Sequence, residues 1–225
     1  TLSFAQAAAL PLTAITAYEA LFDRLKVSDP VLGAGRSILI TGGAGGVGSI
    51  AIQLAKELTD LTVIATASRP ETVDWAKSLG ADHVIDHSKP LAQEFAALGI
   101  DPPGFIFSVT HSGQHRLAMA EIIAPMGRIC LIDDFPEGFD ILAFKQKVVS
   151  LHWEFMFSRP VFQTPDMIEQ HKLLTHVAEL IDVGKIRTTL DTVLGPITAE
   201  NLREAHRLIE SNRTRGKIVL EGFPA

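Results

Sequence analysis

Residues 41 to 48 read TGGAGGVG and follow directly on the apolar run Ser37-Ile38-Leu39-Ile40. Five glycines in eight residues suit neither a helix nor a strand, so the bare backbone is what this stretch must present. Gly43, Gly45 and Gly48 have the spacing G-x-G-x-x-G, and Val47, Ile50, Ala51, Leu54, Ala55 and Leu58 around and after them follow one helical stripe. A glycine loop that leaves a strand and opens a helix inside a βαβ unit brings helix-terminal N–H groups and the helix dipole to a pyrophosphate. On that reading Gly43 permits the tight turn, Gly45 lets a phosphate approach the backbone, and Gly48 lets helix pack on strand. The alternative is an ordinary glycine-rich turn. A Walker-type phosphate loop is excluded, because no Lys-Ser/Thr follows Gly48.

The rest of the chain repeats the same rhythm. Ser37–Thr41, Thr62–Thr66, His83–Asp86, Gly104–Val109 and Arg128–Ile132 are strand-sized runs rich in β-branched and aromatic residues. Helical patterns separate them, such as Val73, Ala76 and Leu79 ending at Gly80, and the stretch from Leu117 to Ile123. Five βα repeats with short connections predict an α/β fold: a Rossmann-type doubly wound parallel sheet with helices on both faces. Later come a strand over Leu151–Phe157, a helix over Pro165–Val183, a strand over Leu190–Leu194, a helix over Ala199–Glu210 and a strand over Lys217–Leu220. These form a short C-terminal αβ extension.

Composition narrows the partners. A net charge of -6 disfavours nucleic acid and anionic membrane. The apolar runs fall far short of the roughly 18 residues of a spanning helix. The opening stretch carries Glu19 and Asp23 and lacks the basic region of a signal peptide. The single cysteine, Cys130, permits no internal disulfide and argues against a thiolate zinc site. A cytoplasmic protein acting on a small molecule is expected, with no metal.

The end of the second strand decides between coenzymes. An NAD site places a carboxylate there for the adenosine ribose, yet Ala65 to Pro70 contains none. Ser68 and Arg69 instead supply a hydroxyl and a forked cation suited to a 2′-phosphate, which favours NADP. Ser68-x-x-Glu71 also reads as a helix capping box, and both readings can hold together. His111-x-x-x-His115 has metal-compatible spacing, but the turn at Ser112-Gly113 and the lack of a third ligand favour a helix-start pair. Asp133 and Asp134 read as helix caps or turn formers before catalytic carboxylates. In 151–157 alternation sets Leu151, Trp153, Phe155 and Phe157 against His152, Glu154 and Met156: either a buried edge strand or a dimer-forming edge.

Thr41-Gly42-x-x-x-Gly46-x-Gly48 also fits the loop of short-chain dehydrogenases. Their Tyr-x-x-x-Lys pair is missing, because the only tyrosine, Tyr18, precedes the loop and has Phe22 at the lysine position. The stretch AAALPLTAITAYEAL at 7–21 resembles the segment leading into the coenzyme domain of medium-chain dehydrogenase/reductases. GGAGGVGSIAIQLAK at 42–56, WAKSLGADHVID at 75–86, APMGRICLID at 124–133 and IESNRTRGKIVLEG at 209–222 agree with it in order. The loop resembles the zinc-independent quinone-oxidoreductase branch most.

The resemblance implies a division into a connecting helix at 1–30, an NADP-binding Rossmann domain at 31–160 and a returning segment at 161–225. Members carry a GroES-like catalytic domain ahead of this segment, so that domain is expected to be missing here. The resemblance further implies that Thr16 approaches the nicotinamide amide, the alternative being a helix hydroxyl bonded to its own backbone. Gly45, Gly46, Val47 and Gly48 match the pyrophosphate turn. Ser68 and Arg69 match the 2′-phosphate pocket, with Lys77 either reaching it or remaining a solvated helix lysine. His87 stands where relatives place a tyrosine against the adenosine phosphate. Val109, Thr110 and His111 border the ribose, Ile132 and Asp133 face the nicotinamide, and Asn212 and Lys217 match a C-terminal contact region. The expected activity is NADPH-dependent hydride transfer to a quinone, enone or carbonyl by a zinc-independent, alcohol-dehydrogenase-like homodimer. The alternative is a coenzyme-binding and dimerisation module without turnover.

Overall fold

The computed structural model describes residues 1–135 and 138–224. Its centre is an all-parallel sheet of β1 (Gly35–Ile40), β2 (Thr62–Thr66), β3 (His83–Ile85), β4 (Pro103–Ser108), β5 (Arg128–Leu131) and β6 (Ser150–Trp153). The spatial order is β3-β2-β1-β4-β5-β6, the doubly wound arrangement expected from the βα rhythm. The order reverses between β1 and β4. In such a sheet the crevice beyond the carboxyl ends of the strands at that point takes the ligand.

Alternation along each strand divides the core in two. Ile38, Ile40, Val63, Ala65, Phe105, Phe107 and Cys130 point to one face. There they meet α2 (Pro11–Tyr18), α3 (Gly46–Leu58) and α8 (Ile168–Asp182) through residues such as Ala14, Leu54 and Val177. Leu39, Ile64, Ile106, Ile129 and Leu131 point the other way, onto α5 (Leu91–Ala96) and α6 (Ser112–Ile122). Both faces are covered, which is why β4 is buried throughout and carries Phe105, Ile106 and Phe107 in succession. Phe105 and Phe107 are each buried, and removing such a side chain from water contributes roughly 1.5–3 kcal/mol.

Helix α3 is buried from Gly48 through Ala55, more completely than a single stripe predicts. The sheet covers one side and α2 the other. Gln53 is buried because its amide both donates to the Arg187 carbonyl at 3.2 Å and accepts from the Arg187 N–H at 2.8 Å. The segment ahead of β1 contributes to the first core, where Ala14, Ala17, Ala20, Leu21 and Leu25 lie. Helix α2 continues into a wide turn over Glu19–Arg24, after which the Leu25 N–H donates to the Ala20 carbonyl at 2.9 Å.

Several elements escaped the sequence reading. The short helices α1 (Phe4–Ala8), α5 and α7 (Ser158–Phe162) carry too few turns to show a period. The strand read over 151–157 ends at Trp153, because β5 ends at Leu131 and the Glu154 N–H takes its last carbonyl at 3.0 Å. Beyond that point the pattern inverts: Glu154 is buried at 3% exposure, whereas Trp153, Phe155 and Phe157 are exposed. The buried-edge reading thus holds for half-buried Leu151 and fails for the aromatics. Helix α4 (Pro70–Ser78) packs against β3, and the chain closes with α9 (Ala199–Glu210) and a separate parallel pair, β7 (Leu190–Val193) with β8 (Lys217–Val219).

Candidate functional site

Two threonines fasten the carboxyl ends of the central strands. The Thr41 hydroxyl accepts from the Val109 N–H at 2.8 Å, locking the exit of β1 to that of β4. The Thr66 hydroxyl accepts from the Gly42 N–H and its carbonyl from the Gly43 N–H, both at 3.0 Å. Between these posts Gly42 adopts φ +63°, a conformation side chains disfavour. Gly42 is therefore the turn glycine, and the role expected of Gly43 is corrected. Gly43 is required instead by packing, since a Cβ there would meet the Ala65 Cβ at 2.8 Å. Gly48 serves as expected: a Cβ on it would lie 2.2 Å from the Gly42 carbonyl oxygen.

Gly45 caps α3 in extended backbone, and a Cβ there would come no closer than 3.4 Å to protein. Its open side faces the crevice, which leaves room for a ligand at the helix start. Among the described residues, the amides of Gly46, Val47 and Gly48 have no acceptor. They are the donors that any helix leaves unmet in its first turn, and with the helix dipole they favour an anion. The segment before β8 straps across this loop, with the Gly216 N–H donating to the Ala44 carbonyl at 2.8 Å. Lys217 lies along Gly46, so its stem covers the helix start.

An open cleft of about 280 Å³ runs from the loop along the ends of β2, β3 and β4. Of the residues expected in a site, Gly45, Ser68, Arg69, His87, Val109 and Thr110 line it. His111 and Asn212 line it too. Sequence reasoning missed Thr41, Thr66, Thr72, His115, Ile209 and Thr214. Thr41 and Thr66 carry the one signal that could have found them, a hydroxyl residue at the carboxyl end of each strand flanking the glycine loop.

Ser68 and Arg69 line the cleft beyond the end of β2. The expected Ser68–Glu71 capping box does not form. The cap is one residue on, where the Arg69 N–H meets the Thr72 hydroxyl at 3.2 Å and the Thr72 hydroxyl donates to the Arg69 carbonyl at 2.8 Å. That shift leaves the Ser68 hydroxyl without a hydrogen-bond partner among the described residues. The Arg69 guanidinium is held 3.2 Å from Glu71 and donates to the Arg213 carbonyl at 2.7 Å.

Three imidazoles share the cleft. His87 keeps its Nδ1 buried and without a partner, and burial lowers its pKa against the attraction of Asp86. Burial likewise lowers the pKa of His115, and His87 and His111 add to the effect. His111 sits at φ +56° before α6, with Nδ1 2.8 Å from the Thr110 hydroxyl.

The remaining predicted residues lie outside the cleft lining. Thr16 is buried and donates back to the Leu12 carbonyl at 3.0 Å, the helix-hydroxyl alternative. Asp133 accepts from the Ser112 N–H at 2.9 Å and from the Ser112 hydroxyl, and so caps α6. Ile132 packs against the first core, and Lys77 is exposed on α4. Among the described residues no three His, Cys, Asp or Glu side chains gather in a way that could hold a metal ion.

The chain has clear relatives. A sequence model of a family described as zinc-binding dehydrogenase matches residues 79–220. A zinc-type alcohol dehydrogenase-like protein of Staphylococcus aureus (strain Mu50) is 43% identical over 96% of this chain and 64% of its own length. An NADPH-dependent alkenal/one oxidoreductase of Arabidopsis thaliana is 29% identical over 99% of the chain and 48% of its own length. A solved structure from Rhizobium etli CFN 42, described as a zinc-dependent alcohol dehydrogenase protein, is 63% identical. It superposes with a TM-score of 0.97 over the whole of this chain and 66% of its own. The chain thus spans about half to two-thirds of the length of the curated relatives it matches.

Proposed function

Because the chain belongs to the zinc-binding dehydrogenase family of medium-chain dehydrogenase/reductases, as its coenzyme-binding part, we propose that it binds NADP(H) for an oxidoreductase that reduces an enone, quinone or carbonyl. The observation that carries this reading is the loop at the start of α3. Three open amides, a Gly45 with space before it and a Gly48 that admits no side chain fit a pyrophosphate. The partnerless Ser68 hydroxyl and the Arg69 guanidinium on the same cleft fit a further phosphate on the adenosine ribose. The side chains described here do not fit a zinc ion.

A reduced nicotinamide supplies a hydride when bound. The chain's own residues hold and orient it. The Thr41–Val109 lock fixes the two strand ends that flank the cleft, and the Gly216 strap with Lys217 covers the helix start. Positioning of this kind, rather than a named proton donor, is the rate contribution assigned to this chain. The enone class draws on the Arabidopsis relative's described substrate.

The same reading makes the chain cytoplasmic and a homodimer through the edge at β6, where Trp153 and, just beyond the strand, Phe155 and Phe157 are exposed. One buried free cysteine and the lack of any described helix apolar and long enough to cross a membrane support the location. A second reading is a coenzyme-binding and dimerisation module without turnover. Assaying NADPH oxidation with a quinone and an enone separates the two. Turnover by the 225-residue chain sinks the module reading. Binding without turnover sinks the claim that this chain is itself the enzyme.

A further inference from the structure

We propose that His87, His111 and His115 form a proton-linked phosphate reader, so that this chain binds NADPH with uptake of a proton and more tightly at mildly acidic pH. The proposal rests on the NADP reading above and adds regulation by pH to it.

The three side chains come from separate places in the chain and converge on one cleft. His87 leaves β3, His111 follows β4, and His115 lies one turn further along α6. Ser68 and Arg69 line the same cleft. Arg69 is the only lysine or arginine among the described lining residues, and its guanidinium is already shared with Glu71 and the Arg213 carbonyl. A dianionic phosphate placed there is short of permanent positive charge.

Charged groups near the imidazoles are already engaged: Arg116 with the Gly113 carbonyl, and Glu94 with the Asp86 N–H and Lys89. Asp86 beside His87 is held by Ser88 and Lys89. Asp133 beneath α6 is committed to Ser112. Asn212 and Thr214, on the segment that closes the cleft, are neutral. Burial disfavours protonation of His87 and His115, and the neighbouring imidazoles act in the same direction on both. A phosphate among them reverses that balance. Its negative charge favours imidazolium in the residues that line the cleft.

The sign of proton exchange identifies the mechanism. A phosphate monoester loses its second proton near pH ~6, so binding to Arg69 alone would release protons from the ligand. Net uptake must come from the protein. One proton fully taken up tightens binding about tenfold for each unit of pH decrease.

The test is isothermal titration of the chain with NADPH and with NADH at mildly acidic pH, in two buffers of different ionisation enthalpy. Net uptake is expected with NADPH and none with NADH. His87→Gln and His111→Gln, at half-buried and exposed positions that leave the core intact, are each expected to reduce it. Zero uptake, net release, equal uptake with both nucleotides, or uptake unchanged in both variants would overturn the proposal. Failure of NADPH to bind at any pH would instead overturn the coenzyme reading beneath it.

Discussion

The first turn of α3 rests directly on the loop that leaves β1: a Cβ on Gly48 would lie 2.2 Å from the carbonyl oxygen of Gly42. Gly45, three residues earlier, has extended backbone and space in front of it. The two glycines should therefore fail differently. Gly48→Ala is expected to lose about 1–3 kcal/mol of stability through overpacking, together with nucleotide binding. Gly45→Ala is expected to keep its melting temperature and lose nucleotide affinity. Thermal unfolding and nucleotide titration of both variants check this; equal melting losses would contradict it.

Arg69→Ala separates the coenzymes. A charge-assisted hydrogen bond contributes about 1.5–3 kcal/mol, so NADPH affinity is expected to fall about 10- to 100-fold. NADH affinity should change little, because Arg69 contributes to the fold only through its exposed pair with Glu71 and its bond to Arg213. Equal losses for both nucleotides would remove the 2′-phosphate assignment.

Much of this was legible in the sequence, and the reasons are specific. Strands β1, β2, β4 and β5 were readable because both faces are buried and apolar residues run consecutively through their centres. The glycine loop was readable because steric need leaves only glycine at positions 42, 43 and 48. The assignment of turn glycine was not, since φ at Gly42 depends on Thr66, which is distant in sequence. Asp133 illustrates the other limit. Its place at a strand end suited either a coenzyme contact or a cap, and its bonds from Ser112 depend on a residue distant in sequence. Burial of Glu154 likewise follows from partners far along the chain, Arg24 and Glu19.

Glu154 gives a pH prediction. Burial raises its pKa to about 8, the Glu19 carboxyl adds to the rise, and the Arg24 contact at 2.9 Å opposes it. The folded state then binds more protons than the unfolded state between pH 4.5 and about 8, so stability falls as pH rises through that window. Glu154→Gln, which keeps the shape without the titration, is expected to flatten the profile and raise the melting temperature at pH 8. Each kcal/mol corresponds to roughly 2–4 °C for a chain of this size. A variant less stable than the parent at pH 8 would show that the charged carboxylate is the favoured form.

The free side of β6 carries the dimer proposal. Trp153 is 57% exposed and stacks on Phe135 with ring centroids 5.2 Å apart. Trp153→Asp is expected to convert a dimer to a monomer by sedimentation while leaving nucleotide affinity intact. A parent chain that sediments as a monomer at micromolar concentration would end that proposal.

The central claim is that the cleft beside TGGAGGVG holds a nicotinamide dinucleotide by its phosphates. Its most direct test is equilibrium titration of the purified chain with NADPH, NADH and 2′-phosphoadenosine ribose phosphate, followed by tryptophan fluorescence. The account predicts saturable binding of all three, tightest for NADPH, and loss of that binding in Gly45→Ala. No saturation with any of them by a folded chain would contradict it.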